Sequence, residues 1–220
     1  YNPNAGPPSL ALQYGMQLFG TTSAATGGLA NNSDALAVIP ISKKRSIVVG
    51  RTGSSDFLLT TPSASAYQLA HADAGSPAAT GALDGFAIAI DYEATTTLLG
   101  LGWFTYLGAV GDDLCTGVLT DSEGDVVIGG YTTSTSLFAA SPLPTPSPSV
   151  ANSGSADAFA CELDSLGTVR NWGTYFGGSG FEICRGLAIS ENGDSVVLVG
   201  STTSSVLYAG TLITQNTTFE

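Results

Sequence analysis

Three observations predict an all-β fold built from repeated units of four short antiparallel strands. A block of the chain recurs about 70 residues further on. Within the blocks apolar residues alternate with a period of two. The alternating runs are separated by turns rich in Gly, Asp and Asn, and no segment holds a 3.6-residue period over the length of a helix.

The recurrence is direct. Trp103-Phe-Thr-Tyr-Leu-Gly108 returns as Trp172-Gly-Thr-Tyr-Phe-Gly177, 69 residues later, and Cys115 returns as Cys184 at the same offset. Asp125-Val-Val-Ile-Gly-Gly-Tyr-Thr-Thr-Ser134 returns as Ser195-Val-Val-Leu-Val-Gly-Ser-Thr-Thr-Ser204. A more diverged copy precedes both: Ile47-Val-Val-Gly-Arg-Thr52 puts Gly50 in one column with Gly130 and Gly200, and Asp84-Gly-Phe-Ala-Ile-Ala-Ile-Asp91 matches Asp157-Ala-Phe-Ala-Cys-Glu-Leu-Asp164. Met16-Gln-Leu-Phe-Gly20 reads as the last strand of a still earlier unit.

In the second unit the strands are predicted at 115–121, 125–132, 157–164 and 169–177. The first pair is joined by Asp121-Ser-Glu-Gly-Asp125, where Gly124 supplies a positive φ, and the third unit repeats the turn as Glu191-Asn-Gly-Asp194. Alternation in the third strand sends Phe159, Cys161 and Leu163 to one face and Ala158, Ala160 and Glu162 to the other. In the first unit Phe86, Ile88 and Ile90 alternate in the same way.

Composition narrows the function classes. The 220 residues are 43% hydrophobic, enough for a sizeable core, but only 11% charged against roughly 25% in an ordinary soluble domain. Ser, Thr, Asn and Gly must therefore make the surface polar, a pattern common outside cells. The net charge of −12 argues against nucleic acid and against an anionic membrane surface. The one basic run, Lys43-Lys44-Arg45, falls at a hairpin turn between apolar strands and reads as a solvated turn. No apolar run reaches the roughly 18 residues of a membrane span. The chain opens Tyr1-Asn2-Pro3-Asn4 without Met or a signal peptide, as in a processed chain or part of a longer one. Asn31 and Asn216 head N-x-S/T sequons, and Ser141–Ser149 alternates Pro with Ser and Thr, as O-glycosylated polyproline segments do. Together these features point to a secreted or cell-surface glycoprotein.

Four antiparallel strands per repeat is the plan of a β-propeller blade, and the residues resemble one family of such blades. Thr105-Tyr-Leu-Gly-Ala-Val-Gly-Asp-Asp113, Gly117-Val-Leu-Thr-Asp-Ser-Glu-Gly-Asp-Val-Val-Ile-Gly-Gly-Tyr-Thr132 and Asp157–Asp164 resemble the SBBP type of β-propeller repeat. The resemblance covers nearly all of residues 14–205 and is clearest in the second unit and the first half of the third. It implies an extracellular or cell-surface protein, often large, with no catalytic residues assigned to the repeat as such. Two departures stand out: Phe181-Glu182 replaces the Asp-Asp of Asp112-Asp113, and no acidic pair follows Gly20. A ligand role shared by the acidic pairs would be broken by these losses.

Divided by the repeat, residues 1–13 are an N-terminal extension, 14–108 a leading strand plus a first blade with insertions, 109–178 a second blade with its Pro-rich loop at 141–149, and 179–220 a partial third blade. Propellers close with at least about four blades. About two and a half to three blades make an incomplete ring, to be completed by more of a longer chain or by other subunits.

Candidate chemistry is sparse. The acidic turns (Asp112-Asp113; Asp121, Glu123 and Asp125; Glu191 and Asp194) offer oxygens that suit calcium, but their spacing is not that of an EF-hand loop, and Asp and Gly are ordinary turn formers. His71, the single histidine, stands beside Asp73 in an insertion without a nucleophile elbow. Cys115, Cys161 and Cys184 lack zinc spacing and an activating neighbour, and a disulfide joining two of them is expected, with all three pairings open. Trp103, Tyr106, Trp172 and Tyr175 recur at blade spacing, which favours wedging between blades over stacking on sugar. Gly108, Gly177 and Gly178 form no phosphate cradle. The expected function is a non-catalytic structural or interaction module within an extracellular assembly or filament, its partners other copies or other segments of that assembly. A lectin-like propeller binding a glycan or protein is the alternative, and an enzyme domain comes third. No catalytic residue or cofactor is expected.

Overall fold

The structure, a computed structural model, describes residues 33–55, 66–68, 82–92, 99–138, 155–190 and 195–208. The leading strand at 16–20, His71, the Pro-rich loop 141–149, the turn at 191–194 and both sequon asparagines, Asn31 and Asn216, lie outside the described residues. Among the described residues every regular element is a strand, and no helix is long and apolar enough to cross a membrane.

The first sheet runs β1 (Ser33–Ser42), β2 (Arg45–Thr52), β3 (Asp84–Tyr92) and β4 (Leu99–Leu107), paired antiparallel in chain order. The second repeats it with β5 (Asp113–Thr120), β6 (Val126–Thr132), β7 (Asp157–Leu163) and β8 (Arg170–Gly178). β9 (Glu182–Ile189) and β10 (Val196–Thr202) form the first hairpin of a third unit. Among the described residues the fold is thus all-β, with two four-strand antiparallel blades and part of a third, and no sheet closes into a ring. In the second blade the predicted strand ends differ from the observed ones by at most two residues.

One element departs from the simple plan. β11 (Leu207–Tyr208) follows β10 in the chain but adds to the outer strand of the preceding blade, pairing Leu207 with Gly178 and Tyr208 with Gly177. An outer strand presents unpaired N–H and C=O groups along one edge, and a short extra strand covers some of them. On the first blade residues 66–68 cover the outer strand similarly: Tyr106 N–H donates to the Gln68 carbonyl at 3.0 Å, and Gln68 N–H donates to Thr105 Oγ1 at 2.8 Å. Sequence alternation could not show either, because a segment of two or three residues has no period to read.

The blades stack face to face. Alternation in β7 is as predicted: Phe159, Cys161 and Leu163 enter a core shared with Ile47, Val49, Ala87, Ala89 and Trp103 of the first blade. Ala158 and Ala160 are buried as well, because β9 and β10 cover the opposite face. Phe86, Ile88, Val48, Phe104 and Tyr106 form a separate cluster on the far side of the first sheet.

Each first strand carries the same irregularity. The β1–β2 register slips between Ala35 and Ala37, the β5–β6 register between Cys115 and Gly117, and the β9–β10 register where Val199 faces Gly186 but Gly200 faces Cys184. One extra residue, Leu36, Thr116 or Arg185, is a β-bulge that sharpens the local twist. Opposite each bulge stands a glycine. A Cβ on Gly50, Gly130 or Gly200 would collide with the carbonyl oxygen of Asp34, Leu114 or Ile183 on the bulged strand. The glycine column read from the sequence is therefore a steric requirement of the bulge.

Gly130→Ala is expected to destabilise the fold by about 3 kcal/mol or more, since backbone has to move to admit the methyl. Gly117→Ala, whose Cβ would meet Leu187 at an ordinary 3.5 Å, is expected to change stability by less than about 1 kcal/mol. The midpoints of urea unfolding check both.

Candidate functional site

The most elaborate constellation lies where one blade hands the chain to the next. Asp113 is fully buried, and its Oδ2 accepts hydrogen bonds from Ala109 N–H and Ser134 Oγ, both at 2.8 Å. Asp113 N–H donates at 2.6 Å to the carbonyl of Leu83 in the preceding blade. One unit on, Glu182 repeats the set. Its carboxylate accepts from Gly178 N–H at 2.9 Å, Ser204 Oγ at 2.7 Å and Thr202 Oγ1 at 2.6 Å, and its own N–H donates to Ala156 at 2.8 Å. In the first blade Ser33 Oγ shares a 2.8 Å bond with Thr52 Oγ1 at the corresponding place.

The longer Glu182 side chain thus makes the bonds of Asp113, and the departure at Phe181-Glu182 leaves this role intact. The residue before it changes more. Asp112 Oδ1 accepts from Leu83 N–H at 3.1 Å, whereas Phe181 packs on Tyr131 with ring centroids 5.3 Å apart. Both keep one bond: Asp112 N–H donates to Thr133 Oγ1, and Phe181 N–H to Thr203 Oγ1, each at 2.7 Å. The hydroxyl partners went unremarked in the sequence, though Thr52-x-Ser54, Thr132-x-Ser134 and Thr202-x-Ser204 stand in one column.

The Glu182 carboxyl is held below its ordinary value of 4.5: burial works against its charge, but the hydrogen bonds from Thr202, Ser204 and Gly178 outweigh burial. Asp164, in the turn between β7 and β8, is lowered likewise, burial being outweighed by Val169 N–H and by the N–H and hydroxyl of Thr168.

Asp121, Glu123 and Asp125 bring three carboxylate oxygens within 4.8 Å of one another. Two of the three carboxylates already accept hydrogen bonds. Asp121 Oδ1 accepts from Glu123 N–H and Asp125 N–H at 2.9 Å each, while Asp125 accepts from Ser165 N–H at 2.9 Å and Asn171 Nδ2 at 2.8 Å. Gly124 has φ +89°, as the turn reading requires.

The expected disulfide is corrected: Cys115, Cys161 and Cys184 are three buried free thiols. Cys115 and Cys161 lie on β5 and β7 with β6 between them, a separation of about 10 Å that exceeds the roughly 7 Å a disulfide spans. Cys184 packs on Gly129, on the sheet's opposite face. Burial raises all three thiol pKa values, that of Cys161 to about 12 even with Arg170 nearby.

Of the recurring aromatics, Trp103 and Tyr175 lie in the core between the first two blades, and Tyr106 lies in the cluster on the far side of the first sheet. Trp103 is buried, and its Nε1–H donates at 3.0 Å to the Ser165 carbonyl of the second blade. Its ring lies over Gly167, where φ is +66° and a Cβ would meet the indole. Tyr106 and Tyr175 are fully buried; the Tyr106 hydroxyl donates to the Ser54 carbonyl at 2.9 Å, and the Tyr175 hydroxyl accepts from Phe138 N–H at 3.2 Å. Trp172 is half-buried beside β9 and β10. Lys43 and Lys44 form the β1–β2 turn, but Arg45 belongs to β2 and pairs with Asp91, Nη2 to Oδ2 at 2.7 Å. Gly108 and Gly177 press on Asp84 and Asp157, where a Cβ would strike the carboxylate.

A cavity of about 220 Å³ between the second blade and the third-unit hairpin is lined by Phe176, Ile183, Leu198 and Leu207, with Glu182 and Cys184 at its wall. The carboxylate is committed to hydroxyls and amides, and the thiol is held protonated. The arrangement joins blades.

Two outcomes follow. Because the folded Glu182 pKa is lowered, its stabilisation is present above pH 4.5 and is lost as the pH falls below it; Glu182→Gln should cost about 1–2 kcal/mol at neutral pH and flatten the acid limb of the stability curve. In the native chain Cys161 should hold about a thousandfold less thiolate than an ordinary cysteine, so alkylation at pH 8 should label none of the three thiols until denaturant is added, which mass spectrometry would count.

The chain matches no curated protein. Residues 102–138, from within β4 through β5 and β6 to Phe138, match the family model described as the SBBP beta-propeller repeat. The bulged strand β5, Asp113 with its partners Ala109 and Ser134, and Gly130 of the glycine column fall inside this matched segment, which is similar to that repeat.

Proposed function

We propose that this chain is a non-catalytic structural and interaction module of a secreted or cell-surface glycoprotein, working inside a larger extracellular assembly or filament. One observation carries the reading: the described groups capable of chemistry at the blade junctions are spent on holding blades together. Asp113 and Glu182 accept hydrogen bonds from their own junctions, the three thiols are buried, and Trp103 and Tyr175 wedge between the first two blades. The match to a β-propeller repeat supports a module that presents surface. The low charge, the two sequons and the Pro-rich run support an extracellular setting.

The test is the denaturing mass of the reduced chain from its natural source, before and after enzymatic deglycosylation, beside its native mass. A drop in mass on deglycosylation and a native mass several times the denaturing one are expected. A sugar-free, closed monomer overturns the reading.

A further inference from the structure

We propose that Tyr67 and Gln68 form a strap across the outer rim of the first two blades, tying one blade to the other and closing the β4 edge to pairing with another extended segment.

Toward the first blade the strap behaves as a strand one residue long. Gln68 N–H donates to Thr105 Oγ1 at 2.8 Å, and the Gln68 carbonyl accepts from Tyr106 N–H at 3.0 Å. The side chain carries the pairing further: Gln68 Oε1 accepts from Gly108 N–H at 3.0 Å, as the carbonyl of a longer strand would. Amides point to alternate sides along a strand, so Tyr106 and Gly108 hold successive outward N–H groups of β4, and one residue answers both. Gln68 Nε2 also reaches Oδ2 of the buried Asp84, at 3.5 Å.

Toward the second blade the strap uses Tyr67. Its N–H donates at 2.8 Å to the carbonyl of Gly167 in the β7–β8 turn. Its ring packs against the core between the blades, and the Arg170 guanidinium lies over that ring, 5.8 Å from the centroid. The turn that receives the bond is held by Asp164, whose Oδ1 accepts from Thr168 N–H and Val169 N–H. Trp103 already joins the same turn at Ser165, so the strap adds a second tie two residues further on. Two adjacent residues thus grip different blades.

The second blade shows the edge as the recurring demand. Thr174-Tyr-Phe-Gly177 of β8 matches Thr105-Tyr-Leu-Gly108 of β4. There β11 pairs with Gly177 and Gly178. The two covers come from different places in the chain: the strap lies between β2 and β3 of the blade it covers, whereas β11 follows β10 of the next unit. Unrelated segments meet matched edges, which marks the edge itself as what must be covered. An uncovered β4 would offer the Tyr106 and Gly108 amides to an extended chain.

Native-state hydrogen exchange of the full chain tests the strap. Gln68→Met keeps the length of the side chain and removes its polar atoms, and Tyr67→Ala removes the ring. Because the two residues act as one strap, each variant should speed exchange about tenfold or more at Gly108 in the first blade and at Thr168 in the second, while Ile128 in β6 keeps its wild-type rate. In the double variant Tyr67→Ala/Gln68→Ala, a synthetic peptide with the sequence of residues 64–70 should restore Gly108 protection, and the same peptide should leave wild type unchanged. Acceleration confined to the blade whose contact was altered overturns the strap, as does equal acceleration at Ile128, the mark of a general loss of stability. A peptide that leaves Gly108 unprotected in the double variant, or that alters exchange in wild type, overturns the closed edge.

Discussion

Everything else in this molecule depends on how the first strand of each blade crosses the sheet before it. That strand must hydrogen-bond to its own hairpin partner while its other side presses on a neighbouring blade. A regular strand meets only the first demand. The bulge at Leu36, Thr116 or Arg185 reconciles the two by turning the strand mid-course. Thr116 shows the result: its hydroxyl donates to the Cys184 carbonyl on the next first strand. The price is a backbone approach so close that only glycine fits opposite.

The same crossing explains where the polar atoms went. A strand arriving at a sheet brings backbone groups into a place from which water is excluded, and each must find a partner. Asp113 and Glu182 meet this need as multiple acceptors that gather the amide and hydroxyl donors around the junction. A buried carboxylate is tolerated when several donors surround it and is costly when one is lost. The exchange of Asp for Glu is absorbed because the donors, not the chain length of the acid, define the site.

Legibility in the sequence followed periodicity. The strands of the second blade were readable because Phe159, Cys161 and Leu163 alternate with Ala158, Ala160 and Glu162. The turn at Asp121–Asp125 was readable because Gly124 needs a positive φ there. The latch was half readable: its acids attracted notice as ligands, whereas their partners Ser134 and Ser204 stood out only as the ends of a repeated strand. The disulfide expectation failed because spacing along a chain says nothing of sheet faces. Cys115 and Cys161 lie two strands apart, and Cys184 lies on the other side.

By itself the sequence determined the repeat, the strand content and the glycine column, since each is a matter of local pattern. Only the tertiary structure decided which carboxylates are latches, that the thiols stay apart and that β11 joins the blade before it. The physical reason is that alternation assigns a side chain to a face of its own sheet, whereas its chemistry depends on what the neighbouring sheet sets against that face.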